Sequence, residues 1–209
     1  MKKEDTKKKI LEKALELFSA NGYDSVSVSE IAKAVGIKAP SLYSHYPSKQ
    51  AIFDAIVEDT ALQYEKYTDE IDIHVQNAQK DTDVFSEITE EFLIQKVCQI
   101  FLYSLHNDAI SRFRRMMTIE QFRSQKLSEF YNERYVERMI RYHAEIFKNL
   151  IGKGEIKSEN PETLAMLYVA PVATLLGVCD RLPEREEECV KKLEEHVSLF
   201  YRTFNSSGK

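Results

Sequence analysis

Between Ile37 and Lys49 the chain reads IKAPSLYSHYPSK. Thirteen positions hold two lysines, three serines, two tyrosines, a histidine and two prolines. Ammonium, hydroxyl and imidazole groups are hydrogen-bond donors, and here they sit on a piece too short and too polar to be a core helix. Pro40 is tolerated only in the first turn of a helix, where its missing N–H is not needed, so a helix can start near Ala39. Pro47 pushes Tyr46 out of helical geometry and closes it. In the two turns that remain, Leu42 and Tyr46, four apart, can face inward. Ser41, Ser44 and His45 then face largely outward, with Tyr43 at the boundary.

The segment before it supplies a frame. Ser27 and Glu30 form a Ser-x-x-Glu capping box, and Val26 with Ile31 fits a hydrophobic staple. Two start signals agree on a helix over residues 28–35, and Gly36 stops it. Upstream, Ile10, Leu11, Ala14, Leu17 and Phe18 recur at helical spacing, which predicts an amphipathic helix over 5–20 that Asn21-Gly22 ends. A short helix, a glycine turn and a second short helix make a helix-turn-helix, whose second helix enters the DNA major groove. The charge balance agrees: residues 1–50 carry a net +3 and the remainder −8 within an overall −5. A basic head on an acidic body suggests that only the head meets a polyanion.

Residues 6–57, TKKKILEKALELFSANGYDSVSVSEIAKAVGIKAPSLYSHYPSKQAIFDAIV, resemble the TetR family of transcriptional regulators. Gly22-Tyr23, Ser29-Glu30-Ile31-Ala32, Gly36-Ile37, Leu42-Tyr43, His45-Tyr46 and Ser48-Lys49 fall in register with the family pattern. Two residues depart from it. Lys38 stands where a hydroxyl cap is common, and Tyr46 replaces a phenylalanine. The resemblance covers about a quarter of the chain. It implies phosphate contacts from Tyr43, His45 and Lys49, while the helix start at Ser27 can hold a phosphate through its free N–H groups. Lys38, Ala39, Pro40, Ser41 and Ser44 are the residues that could reach base edges, Lys38 by donating to guanine and Ala39 and Pro40 by contact with thymine methyls. One such head is small, so a two-fold homodimer on a pseudo-palindromic double-stranded DNA operator is expected.

The rest of the chain reads as helices around 52–69, 88–105, 109–123, 124–150, 161–181 and 183–204, with a polar loop or frayed end over 69–83. Ser124 is a candidate cap and Pro171 a candidate kink. The fold class is all-α, with about nine helices and no convincing strand. The functional division is a DNA-binding domain over 1–50 and a ligand-binding and dimerisation domain over 51–209. No apolar run approaches 18 residues, so no membrane span is expected, and MKKEDTKKK is not a signal-peptide start, which makes a cytoplasmic protein the default. Cys98, Cys179 and Cys189 give neither a disulfide framework nor a zinc pattern, and no residue set calls for a metal or cofactor.

Leu193, Val197, Phe200 and Phe204 form a narrow stripe on the last helix, and Leu164, Leu167, Tyr168, Leu175 and Leu176 line one side of the helix before it. They look like a dimer surface, and the resemblance implies that the two helices pair with their mates as a four-helix bundle; an intramolecular core is the other reading. Tyr103, His106, Phe113, Met116, Met117, Phe122, Tyr135, Tyr142 and His143 mix aromatic, sulfur and polar groups, and the resemblance implies a chamber there for a small-molecule effector that releases a repressor from DNA. An enzyme is disfavoured, because nucleophile-elbow, phosphate-loop, zincin and dinucleotide motifs are absent and the histidines are scattered. The other rival is a protein-binding adaptor that kept the fold and lost specific DNA binding.

Overall fold

The computed structural model describes residues 3–75, 77–86, 88–123 and 125–205. The helices are α1 (Lys3–Asn21), α2 (Val28–Val35), α3 (Ala39–Tyr43), α4 (Lys49–Glu70), α5 (Ala78–Ser86), α6 (Glu90–His106), α7 (Asp108–Glu120), α8 (Gln125–Asn132), α9 (Arg138–Gly152), α10 (Pro161–Arg181) and α11 (Glu186–Phe204). Among the described residues there is no strand, only an isolated antiparallel bridge between Ile156 and Asn205. Packing separates two compact units, Met1–Tyr64 with Asn107–Tyr131, and Glu65–His106 with Asn132–Lys209. This division differs from the functional one at residue 50, because α7 packs on α1.

In the first unit, Ile10, Ala14 and Phe18 of α1, Ile31 and Val35 of α2, Leu42 of α3, and Ile52 and Ile56 of α4 are core residues with almost no solvent exposure. Burial of several such side chains, at about 1.5–3 kcal/mol each, holds helices this short in place. Aromatic rings continue the core: Phe18 to Tyr23 at 5.1 Å and Tyr23 to Phe53 at 5.1 Å, both edge-on, and Phe53 to Phe113 at 5.9 Å, tilted. Phe113, Met116 and Met117 of α7 are buried in this unit. They pack in the head's own unit, whereas the expectation placed them in a chamber wall.

The second unit holds two apolar clusters. Ile146, Phe147, Leu164, Tyr168 and Phe200 belong to one. Leu93, Phe101, Cys179, Cys189, Leu193 and Val197 belong to the other. Burial pushes the Cys98 thiol up to about 11 and the Cys179 thiol up to about 12, so both stay protonated at neutral pH.

Two elements differ from the sequence expectation. The polar stretch 69–83 contains helix α5, started by Asn77, whose side-chain oxygen accepts the Lys80 N–H at 3.1 Å. Asp81, fully buried, accepts the His74 backbone N–H at 2.8 and 2.9 Å and lies 2.9 Å from His74 Nδ1. The Tyr142 hydroxyl also donates to it. A buried carboxylate with that many partners anchors a segment that has few apolar residues of its own. The helix expected over 124–150 is divided by a π turn at Glu133–Glu137, where Arg138 N–H reaches back to the Glu133 carbonyl. Its candidate cap, Ser124, lies outside the described residues. Helix α10 runs through Pro171 as one element.

Candidate nucleic-acid interface and a cavity

The frame of the head is built as its residues dictate. The Ser27 hydroxyl accepts the Glu30 N–H at 3.2 Å and the Glu30 carboxylate accepts the Ser27 N–H at 2.7 Å, completing the capping box. The Ser27 N–H and the Ser27 hydroxyl, which also donates to that carboxylate at 2.7 Å, hold the Glu30 carboxyl below its usual range, the backbone donor being the larger cause. Gly36 takes φ 82° and donates to Ala32 and Lys33, which turns the chain sharply into α3. Helix α3 spans only five residues, yet His45 and Tyr46 still donate to the Leu42 carbonyl, so the helical path reaches Pro47.

Leu42 is buried and anchors α3 by one side chain. Lys38, Pro40, Ser41, Tyr43 and Ser44 are exposed, Tyr43 at 51%. Ala39 and His45 are half-buried, and Ser27 is exposed. Lys38 begins α3 in extended conformation and makes no side-chain cap. The Ser44 hydroxyl donates to the Ser41 carbonyl at 2.7 Å, leaving its oxygen as an acceptor. His45 Nδ1 is buried without a hydrogen-bond partner, so its ring is more inward than its position on the helix suggested.

Lys49 departs most from the sequence expectation. Its ammonium donates to the carbonyls of Tyr23 at 3.0 Å, Asp24 at 3.3 Å and Val26 at 3.1 Å, and lies 4.5 Å from the Tyr23 ring centre. An ammonium has three protons, and all three are used. Lys49 therefore clamps the α1–α2 turn, and in this arrangement has no N–H left for a phosphate. Sequence pattern gives the lysine but not its three carbonyls, which come together only when α4 meets the turn.

A second set of contacts secures the same turn from α7. Glu120 is 1% exposed, its carboxylate accepts no hydrogen bond, and its counter-ion is Arg123 at 3.3 Å. Gly22 takes φ 84°, and a Cβ there would lie 2.8 Å from Arg123 Nη1 and 2.9 Å from Glu120 Oε1. The positive φ calls for glycine, and a Cβ would in addition force the ends of these two side chains to shift.

The other expected sites are redistributed. A cavity of about 520 Å³, partly open to solvent, lies within the second unit, and of the nine expected chamber residues His143 lines it. Its walls come from α5, α6, α9, α10 and α11. Tyr103 instead stacks on Tyr67 at 3.7 Å, and exposed His106 pairs with Glu186 at 2.9 Å. Arg134 lies 5.9 Å over the ring of Tyr135, and Tyr142 serves Asp81. Phe122 is 87% exposed.

The expected dimer residues divide by their exposure in the single chain. Leu164, Tyr168, Leu193, Val197 and Phe200 are buried inside the chain, and Leu175, Leu176 and Phe204 pack against them half-buried. Leu167 alone of the nine is exposed, at 51%. Met166 at 57% and Leu199 at 60% are exposed apolar residues that the stripe missed, and Ala170, Ala173 and Thr174 continue the open side of α10. Among the described residues α10 is long and apolar enough to cross a membrane by length and composition, yet only 22% of that apolar window is buried within the chain.

A capped first helix, a glycine turn and an exposed polar second helix on an all-α body define a helix-turn-helix protein. A family model described as "Bacterial regulatory proteins, tetR family" matches residues 10–56. The amino-terminal head is thus a TetR-family segment, with α2 and α3 as its helix-turn-helix. IcaR, a negative transcriptional regulator of the biofilm operon in Staphylococcus aureus strain Newman, is 46% identical over 52 residues. That match covers 25% of this chain and 28% of IcaR, so the chain spans well under half of that relative's length. The Bacillus subtilis protein named "Probable HTH-type transcriptional regulator YttP" is 25% identical over 205 residues, covering 97% of this chain and 89% of YttP. Among solved structures, SmeT, the repressor of the Stenotrophomonas maltophilia multidrug efflux pump SmeDEF, aligns with a TM-score of 0.67 at 17% identity over 97% of this chain and 91% of its own. Its triclosan complex aligns at 0.70 over 98% and 93%. The whole chain has the fold of these regulators.

Proposed function

We propose that this protein is a sequence-specific DNA-binding transcriptional regulator, a repressor released from a pseudo-palindromic operator by a small-molecule effector. The observation that carries this is α3. It is held by one buried leucine and a capped neighbour, and it offers Lys38, Pro40, Ser41, Tyr43 and Ser44 to a partner. Ammonium and hydroxyl donors on a helix of this size suit a major groove, and the N–H groups at the Ser27 end of α2 suit a phosphate. The negative regulation named for IcaR and for SmeT supports repression, and the triclosan complex of SmeT supports a small-molecule trigger.

The open sides of α10 and α11 support a homodimer. Met166, Leu167 and Leu199 lie exposed on two helices that pack together, with small residues between them on α10. A second copy of the same face would remove them from water and set two α3 helices at a fixed separation. Leu167→Glu and Leu199→Glu together should give a folded monomer by analytical ultracentrifugation, with operator binding weakened at least tenfold. A double variant that stays dimeric, or a wild-type chain that sediments as a monomer, would remove the two-fold reader.

A further inference from the structure

We infer that the cavity of the second unit is a binding site for an amphiphilic protonated amine, its ammonium held by Glu155 and its apolar part by a wall of aromatic rings. This deepens the proposed effector response and rests on that reading for its regulatory meaning, while the binding itself does not.

The volume comes first. About 520 Å³ falls within the range of pockets that enclose small organic molecules. The wall is aromatic. Tyr168 lies 5.1 Å from His143, 5.7 Å from Phe147 and 5.0 Å from Phe200, and Phe200 lies 4.8 Å from Phe204. All five rings line the cavity. Ring faces carry partial negative charge and attract cations, the more so when water is excluded.

The charges of the wall have one sign. Glu90, Glu91 and Glu155 line the cavity, and among the described residues no lysine or arginine does. His143 adds no positive charge at neutral pH, because burial pushes its imidazole down to about 4. The basic residues tied into this hydrogen-bond pattern are engaged beside the cavity. Lys153 donates to Asp83 and Ser86 at 2.9 and 3.0 Å, and Arg202 lies 3.9 Å from Glu90.

Glu155 supplies the specific feature. Its Oε1 accepts the Ser86 hydroxyl at 3.0 Å, but its Oε2 is buried with no hydrogen-bond partner. A buried carboxylate oxygen without a donor costs free energy that a ligand N–H would recover. A protonated amine brings that donor and the compensating charge together. A quaternary ammonium brings charge alone, and an alcohol brings a donor alone. A carboxylate would meet the like charge of Glu155 and bring it no donor.

The test uses naphthylethylamine, naphthylethanol and naphthylpropanoate, which share one ring and differ in charge. The protein contains no tryptophan, so naphthyl fluorescence is readable without that background. The amine should bind about tenfold or more tighter than the alcohol, the size expected of a hydrogen bond to a charged partner, and the carboxylate weakest. Glu155→Gln keeps the shape and should abolish the preference for the amine while leaving alcohol affinity within about twofold. Equal binding of amine and alcohol, tightest binding of the carboxylate, no binding of any probe, or an unchanged preference in Glu155→Gln would each overturn the inference. DNA retention on the same samples separates the two ideas. Bound DNA without amine binding leaves the regulator and removes this ligand class. Amine binding without any DNA selectivity keeps the site and removes the regulator.

Discussion

The ammonium of Lys49 lies 3.0 Å from the carbonyl oxygen of Tyr23 and 4.5 Å from the centre of the same residue's ring. One lysine at the start of α4 thereby ties down the turn between α1 and α2 from above and from the side. The expected consequence concerns stability first. Lys49→Met removes the ammonium from three carbonyls, of which that of Tyr23 keeps only the Val26 N–H at 3.4 Å, and should cost about 1–3 kcal/mol in urea unfolding, with DNA affinity falling as a result. An unchanged unfolding midpoint with a flatter salt dependence of DNA binding would return Lys49 to a direct phosphate role.

Gly22 predicts a steric result. Alanine there must take a φ of 84° and push against Arg123 and the buried Glu120 at under 3 Å. Gly22→Ala should destabilise the protein by about 1–3 kcal/mol, measured by thermal or denaturant unfolding. Adding Glu120→Gln relieves the charge but not the backbone, so it should restore only part of the loss. Full stability in Gly22→Ala alone would contradict this packing.

Lys38 should behave in the opposite way. It is exposed and caps nothing, so Lys38→Ala should leave the unfolding midpoint within about 0.5 kcal/mol. Its effect should fall on DNA, costing about 1–3 kcal/mol and relaxing preference at one base position in a binding-site selection. Uniform weakening across all sequences would instead assign Lys38 to a phosphate.

His143 gives a pH signature. Burial lowers its imidazole from an ordinary value of 6.5 to about 4, although its Nδ1 contact to the Met139 carbonyl at 2.8 Å and the charge of Asp81 act the other way. Between these two values the unfolded chain binds a proton that the folded chain refuses. Stability must therefore fall as pH falls from 6.5 toward about 4, and level off below, at no more than about 1.4 kcal/mol per pH unit. Unfolding of wild type and His143→Gln across that window checks it: the difference between them should shrink steadily with acid. A constant difference would place the imidazole in contact with water.

How far the sequence reaches depends on the range of the forces involved. The capping box at Ser27 and Glu30 and the stops at Gly22 and Gly36 act within a few residues, and they are visible in the string. Helix α5 was hidden, because its anchor is the buried carboxylate of Asp81, served by His74 and by Tyr142 from distant chain. The stripe of Leu193, Val197 and Phe200 was correctly apolar but could not say whether it faces its own chain or another. On α10 apolar residues occupy most of the circumference, so periodicity gives no preferred side, and the exposed Met166 and Leu167 emerge only from three-dimensional packing. Glu155 carries no signal at all in sequence, since its character comes from the oxygen left unpartnered beside the aromatic wall.

The central claim is that two copies of α3 read DNA at a fixed separation. Selection of bound fragments from a random-sequence double-stranded pool by the purified protein, repeated across salt concentrations, tests it directly. The account predicts enrichment of one two-fold motif, with half-sites set by the dimer and affinity falling steeply as salt rises. Recovery of unselected sequence at every salt concentration, or of a single half-site without its mate, would contradict it.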